Sequence, residues 1–367
     1  MNPPENFSIV FRSEKQTVSP VIRQAYLELS THCNLSCRNC ARNTMLDFRK
    51  SHFTLSLMRR IVPMLKMLRL DRIVLLGFGE ALYNPNIKKL LALLRGIDTS
   101  IVLVTNSSFL TDAMSSYVVN LPLDEIFLSW DDSIDDGGYG NRRGITASIF
   151  RKNLEELADR KAASGNKLPR IGLEMVATKS NHQLLAGTIA YGYAAGIERF
   201  IVSNLYPYSE SAAREILYDT SSKPIINLKK SLRREIKRYG VRTANQDPSL
   251  NRVCPFIERG TVFVSARGDI APCPELAYTH PAFYFGHKRM HNRFIVGNLY
   301  KHAIHEVWHN PAFAGFREKF IYFDFPNCAY CYRPDLCYQR TVEDLDCYWN
   351  ATPCGECLWA KDIVICP

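Results

Sequence analysis

Between residues 25 and about 205 the chain alternates six short apolar runs with five longer periodic ones, and no other feature restricts the fold as strongly. The short runs are Tyr26–Ser30, Arg72–Leu76, Ser100–Thr105, Glu125–Trp130, Arg170–Ala177 and Arg199–Asn204. The longer ones are Leu55–Leu70, Pro85–Leu94, Asp112–Asn120, Ala147–Ala163 and Gln183–Ala195. Thr54 suits an N-cap, Pro85 a first helical turn, and Gly96, Gly165 and Gly196 fall where helices stop. Strands alternating with helices pair in parallel, with the helices outside. The expected class is α/β: a partial (β/α)6 TIM-like barrel over residues 25–240. Residues 1–24 precede it as an extension, and residues 241–367 follow as a small cysteine-rich domain. In such sheets functional groups gather at the C-terminal strand ends.

The end of the first strand carries Cys33, Cys37 and Cys40, spaced Cys-x3-Cys-x2-Cys. Three thiolates hold a [4Fe–4S] cluster and leave one iron without a protein ligand. That iron can chelate a small molecule and pass it an electron. Zinc is the competing reading, but structural zinc sites combine two cysteine pairs or a Cys/His set. His32, beside Cys33, is poorly placed as a fourth ligand. The other nine of the twelve cysteines lie beyond residue 250: Cys254, Cys273, Cys328, Cys331, Cys337, Cys347, Cys354, Cys357 and Cys366. Thr261–Ser265 and Ile270–Ala271 read as a hairpin turning at Gly268, which brings Cys254 near Cys273. Cys328-x2-Cys331 with Cys354-x2-Cys357 also fits a zinc ribbon.

The amino terminus, Met1-Asn2-Pro3-Pro4-Glu5-Asn6, has no basic-then-apolar pattern, so no signal peptide is expected. No run approaches ~18 apolar residues, so no membrane span is expected. The cytoplasm is the expected location, where twelve reduced cysteines argue for metal over disulfides. The formal charge of +10 is spread over pairs such as Arg59-Arg60 and Arg233-Arg234, which suit solvated helix faces. Basic and aromatic residues form no recognition stripe, so nucleic acid is not an expected partner.

The three-cysteine loop after a first strand resembles the radical S-adenosylmethionine (radical SAM) superfamily. There the open iron binds the amino and carboxylate groups of SAM. One electron then splits SAM into methionine and a 5′-deoxyadenosyl radical, which abstracts a substrate hydrogen. The resemblance implies that Cys33, Cys37 and Cys40 are the catalytic cluster ligands. Gly79-Glu80 resembles the turn whose backbone and glutamate hold the SAM amino group, although Ala81 replaces the usual proline. Thr105-Asn106 and Ser129-Trp130-Asp131 resemble further SAM-contacting strand ends. Asn181 and Asn204 follow strands five and six and suit either a SAM contact or a turn cap. Arg142 and Arg143 suit either the SAM carboxylate or ribose, or solvent. Asn39 stands where the family usually has an aromatic residue against adenine.

The distal cysteines resemble the SPASM domain, which holds two auxiliary [4Fe–4S] clusters. That implies Cys254 and Cys273 in the first and Cys328, Cys331 and Cys337 in the second. The remaining ligands come from Cys347, Cys354, Cys357 and Cys366, with Cys366 the candidate spare. The C-terminal run from Asp346, with Ile201–Tyr208 and Cys40-Ala41-Arg42-Asn43, resembles the maturases of tungsten-containing aldehyde ferredoxin oxidoreductases. The function so implied is a radical SAM maturase acting on a cofactor or protein, such as a tungstopterin or its host oxidoreductase. Its electron donor would be a reductase, ferredoxin or flavodoxin. The alternatives are a peptide maturase, forming crosslinks or epimerising a ribosomal peptide, and a non-enzymatic zinc or nucleic-acid-binding protein.

Overall fold

The computed structural model describes residues 18–121, 123–135, 144–218, 223–245, 252–284, 287–328, 331 and 345–367. Six strands form its centre: β1 (Gln24–Leu27), β2 (Arg72–Leu75), β3 (Ser100–Thr105), β4 (Glu125–Ser129), β5 (Arg170–Ala177) and β6 (Arg199–Asn204). Each pairs in parallel with the next. The helices between them are α1 (Leu55–Leu68), α2 (Ile87–Leu94), α3 (Asp112–Val119), α4 (Ala147–Ser164) and α5 (Leu185–Ala194). All five expected helices are present within two residues at each end. The first strand is displaced the most: its pairing stops at Leu27, because the chain beyond turns into the cysteine loop.

Local chemistry accounts for the element ends. The Thr54 hydroxyl accepts from the Leu57 amide at the start of α1, as a threonine N-cap does. Gly165, at φ +68°, closes α4 in the left-handed region. Asn86, not Pro85, stands at the head of α2. The buried stripe Leu57, Met58, Ile61 and Leu65 presses α1 onto the sheet, each large apolar side chain contributing about 1.5–3 kcal/mol.

After β6 come α6 (Glu210–Ala213), α7 (Lys223–Tyr239) and a short parallel strand β7 (Arg242–Thr243). The cysteine-rich region opens with α8 (Pro255–Glu258) and the hairpin of β8 (Thr261–Val264) and β9 (Asp269–Ala271), turning at Gly268, φ +79°. Strand β8 runs parallel to β1, Leu27 facing Val264. Next come a two-stranded ribbon of β10 (His280–Tyr284) and β11 (His287–His291), the short β12 (Gly297–Asn298), α9 (Ile304–Trp308) and α10 (Pro311–Glu318). One sheet of ten strands results, in the order β12–β9–β8–β1–β2–β3–β4–β5–β6–β7. The distal hairpin therefore continues the barrel sheet on the far side of β1. Among the described residues no helix is long and apolar enough to cross a membrane.

Candidate active site and cysteine cavities

The C-terminal ends of the parallel strands open into a cleft of about 300 Å³. Cys33, Cys37 and Cys40 line it together with Gly79, Glu80, Asn106, Ser129 and Asp131. The loop that carries the three cysteines is tied at its base. The Phe53 amide donates to Leu29 O, and the Thr31 hydroxyl donates to Arg49 O and Ser51 O. The buried amide of Asn84 donates to both Leu29 O and Phe53 O. His32 stacks on His52 at 4.2 Å and does not line the cleft.

Gly79 is required by close approach. A Cβ there would stand 2.2 Å from Ser30 O and 2.6 Å from His32 O. The loop after β2 is thereby seated against the cysteine loop, and the Glu80 amide donates to His32 O at 2.7 Å. The buried Glu80 carboxylate accepts from Thr105 Oγ1 and the Asn106 amide, each at 2.7 Å, and from the Leu82 amide at 3.0 Å. Burial pushes its carboxyl up, and these three donors pull it back. Asn106 Nδ2 reaches Cys33 Sγ at 3.5 Å, and Arg42 Nε reaches Cys40 Sγ at 3.3 Å. Burial raises the Cys33 thiol, while the Leu35 amide and Arg42 act the other way.

Asn181 and Asn204 are not among the residues that line the cleft. Asn181 Nδ2 donates to Asp131 O and Val176 O, so it shapes the loop that carries Asp131. Asn204 Nδ2 donates to Asn245 O and Ile363 O, tying down the C-terminal segment. Asn181 also accepts from the Thr178 amide at 2.7 Å and so caps its own turn, whereas Asn204 reaches backbone carbonyls of distant segments. Arg142, Arg143 and Cys337 lie outside the described residues. Sequence reasoning missed Glu174 and Thr178, which also line the cleft. A charged residue inside the otherwise apolar run Arg170–Ala177 was the available signal.

A second, apolar cavity collects Cys254, Cys273, Cys354 and Cys357, walled by Phe256, Ile257, Leu276, Phe316 and Phe320. Burial raises all four thiols, Cys254 to about 11 and Cys357 to about 12. Thiols so placed favour a bound cationic centre over free thiolates. Cys354-x2-Cys357, half of the alternative zinc-ribbon pattern, shares this cavity with Cys254 and Cys273 and not with Cys328. Burial and then the Glu356 charge raise the Cys328 thiol, and the nearby Cys347 adds to the rise.

Cys366, the candidate spare, stands apart from the cysteine cavity. Its sulfur lies 3.5 Å from the Tyr26 hydroxyl, and it lines neither cysteine cavity. The packing of the C-terminal segment beside β1 carries it away from the cavity of Cys254, Cys273, Cys354 and Cys357.

Comparisons with known proteins agree with this geometry. Residues 27–166 match the family model of the radical SAM superfamily, and residues 254–332 match that of the SPASM iron–sulfur cluster-binding domain. A tungsten-containing aldehyde ferredoxin oxidoreductase cofactor-modifying protein from Pyrococcus furiosus is 26% identical over 359 residues, covering 94% of this chain and 97% of that protein. SuiB of Streptococcus suis, bound to S-adenosylmethionine, superposes with a TM-score of 0.63 at 16% identity, over 86% of this chain and 72% of SuiB. SuiB bound to its precursor peptide SuiA gives 0.62 at 15% identity, over 82% and 67%.

Proposed function

The chain is a radical SAM enzyme whose barrel is joined to a SPASM iron–sulfur domain, and from that premise we propose that it is a maturase acting on the cofactor of a tungsten oxidoreductase. The observation that carries the reading is the convergence of Cys33, Cys37, Cys40, Glu80 and Asn106 on one cleft. The relative named as a tungsten-enzyme cofactor-modifying protein, matched over nearly all of both chains, supports the substrate class.

Cys33, Cys37 and Cys40 hold the SAM-binding [4Fe–4S] cluster. Loaded with cluster and SAM, the site supplies reductive cleavage of SAM to methionine and a 5′-deoxyadenosyl radical that abstracts a substrate hydrogen. Glu80 and the Gly79 backbone orient the SAM amino group, and Asn106, Ser129 and Asp131 position the remainder. Glu80 is held against β3 by Thr105 and Asn106, so the turns after β2 and β3 move as one unit. Arg42 and Asn106 donate toward the cluster thiolates and stabilise their charge. Cys254, Cys273, Cys354 and Cys357 hold one auxiliary cluster, and Cys328, Cys331, Cys337 and Cys347 the other. A cytoplasmic ferredoxin, flavodoxin or reductase supplies electrons.

A second reading, modification of a ribosomal peptide, draws on the fold likeness to SuiB with its bound peptide. The test is anaerobic assay of the reconstituted protein with SAM and reductant. It should release 5′-deoxyadenosine, faster when a pterin-bearing tungsten oxidoreductase is added, and lose the activity in Cys33→Ala. Stimulation by a short peptide encoded beside it would select the second reading. No 5′-deoxyadenosine with either substrate would overturn both.

A further inference from the structure

Beside the apolar cysteine cavity lies a cluster that the cysteines do not use. Glu275, His280 and His291 each offer a ligand atom, and these three atoms lie within 4.8 Å of one another. All are buried, at 4%, 0% and 1% exposure. From the geometry we infer that Glu275, His280 and His291 form a mononuclear site for a divalent first-row transition-metal ion.

The hydrogen bonds around the cluster orient its donors inward. His280 Nδ1 lies 3.1 Å from Pro281 O, and Nε2 lies 3.3 Å from the Glu275 backbone O and 2.9 Å from Glu275 Oε1. A neutral ring protonated at Nδ1 would turn an Nε2 lone pair toward Glu275 Oε1. Two lone pairs at this distance repel unless a positive centre lies between them, either a proton or a metal ion. The other carboxylate oxygen, Oε2, accepts from Tyr208 OH at 3.2 Å and Trp359 Nε1 at 3.3 Å. His291 Nδ1 meets Tyr206 OH at 3.2 Å. Each donor thus has an outer partner that fixes its orientation, the arrangement found around bound metals.

The third donor decides between proton and metal. A shared proton would involve Glu275 and His280 alone, whereas His291 brings a second buried imidazole within 4.8 Å of both ligand atoms. The His291 ring stands 5.0 Å from that of His280, centre to centre. Two ligand atoms ~2.1 Å from one ion in adjacent positions are ~3.0 Å apart, which the Glu275–His280 separation matches. Two imidazoles and one carboxylate suit zinc or ferrous iron, with positions left open. The site lies between the two functional cavities. Glu275 and His291 line the cysteine cavity, and Tyr206 follows Leu205, which lines the main cleft.

The test equilibrates the cluster-loaded protein with Zn²⁺, removes free metal and measures zinc, iron and sulfide per chain. One zinc per chain is expected, with iron and sulfide unchanged. His291→Ala and Glu275→Gln should each weaken zinc binding about 100-fold while sulfide content stays constant. Zinc retained at full affinity in both variants would overturn the site, as would no zinc above background in the unaltered protein. Since a variant could fail to fold, zinc-edge X-ray absorption on the unaltered protein decides independently. A nitrogen and oxygen shell supports the assignment, and a sulfur shell overturns it.

Discussion

Tyr278 donates its phenol O–H to Glu28 Oε2 at 2.5 Å, joining the end of β1 to the cysteine-rich region across 250 residues of sequence. The same fully buried carboxylate accepts from the Phe78 amide, after β2, at 2.9 Å, and from the Ala266 amide, after β8, at 3.2 Å. One acidic side chain thus binds three separate loops.

Tyr278→Phe removes a donor from that carboxylate and should lower stability by about 1–3 kcal/mol. Burial raises the Glu28 carboxyl, and the Tyr278 bond works against that rise. The bond therefore stabilises the charged form. Its contribution is present above the Glu28 pKa and fades as the pH falls through it. Thermal denaturation of both proteins should show the Tm gap narrowing toward acid pH. A gap that widens there would contradict this account.

Gly79→Ala places a methyl group 2.2 Å from Ser30 O, a backbone atom that can yield only if the cysteine loop moves. SAM affinity should fall at least about tenfold, about 1.4 kcal/mol. Equilibrium dialysis on the loaded protein measures this, and an unchanged Kd would refute the seating of one loop on the other.

Cys366→Ala should leave iron and sulfide unchanged, because its thiol lies beside Tyr26 and outside both cysteine cavities. Cys357→Ala should lose about four irons, one auxiliary cluster. Iron and sulfide analysis after anaerobic reconstitution separates the two. Equal losses would return Cys366 to the ligand set.

Glu125, buried at the start of β4, meets Arg72 at 3.1 Å and Arg170 and Arg199 at 2.9 Å each. It stands at the N-terminal end of the sheet, opposite the cleft, where side chains serve stability. Glu125→Gln leaves three guanidiniums around a neutral amide and should cost about 1–3 kcal/mol. The figure is discounted from buried-pair values because Arg170 and Arg199 are 44% and 48% exposed. Tm should drop while the rate of 5′-deoxyadenosine release at a temperature well below it stays unchanged. A rate that falls with the Tm would tie this end of the sheet to catalysis.

The barrel and the three-cysteine loop are legible in the sequence because their signals are local. The periodicity of Ser100–Thr105 or Ala147–Ser164 depends on neighbours a few residues away. The spacing of Cys33, Cys37 and Cys40 lies within one loop. Glu80 was legible for the same reason, standing in a glycine-containing turn directly after a strand. Asn181 and Asn204 were ambiguous in sequence because asparagine after a strand suits a ligand contact and a turn cap equally well. Only the direction of the side chain separates the two.

The sequence alone thus determined the fold class, the three-cysteine loop after the first strand and the presence of a thiol-rich distal region, since periodicity and short-range spacing encode each of them. Tertiary structure decided how the described distal cysteines divide. Cys254 and Cys273 share a cavity with Cys354 and Cys357, some eighty residues farther along, while Cys366 goes to the Tyr26 side. It also brought Glu275, His280 and His291 together. Such groupings depend on how the β10–β11 ribbon and the C-terminal segment pack against β1 and β6. Packing of that kind is set by the sum of many nonlocal contacts, and no local spacing records it.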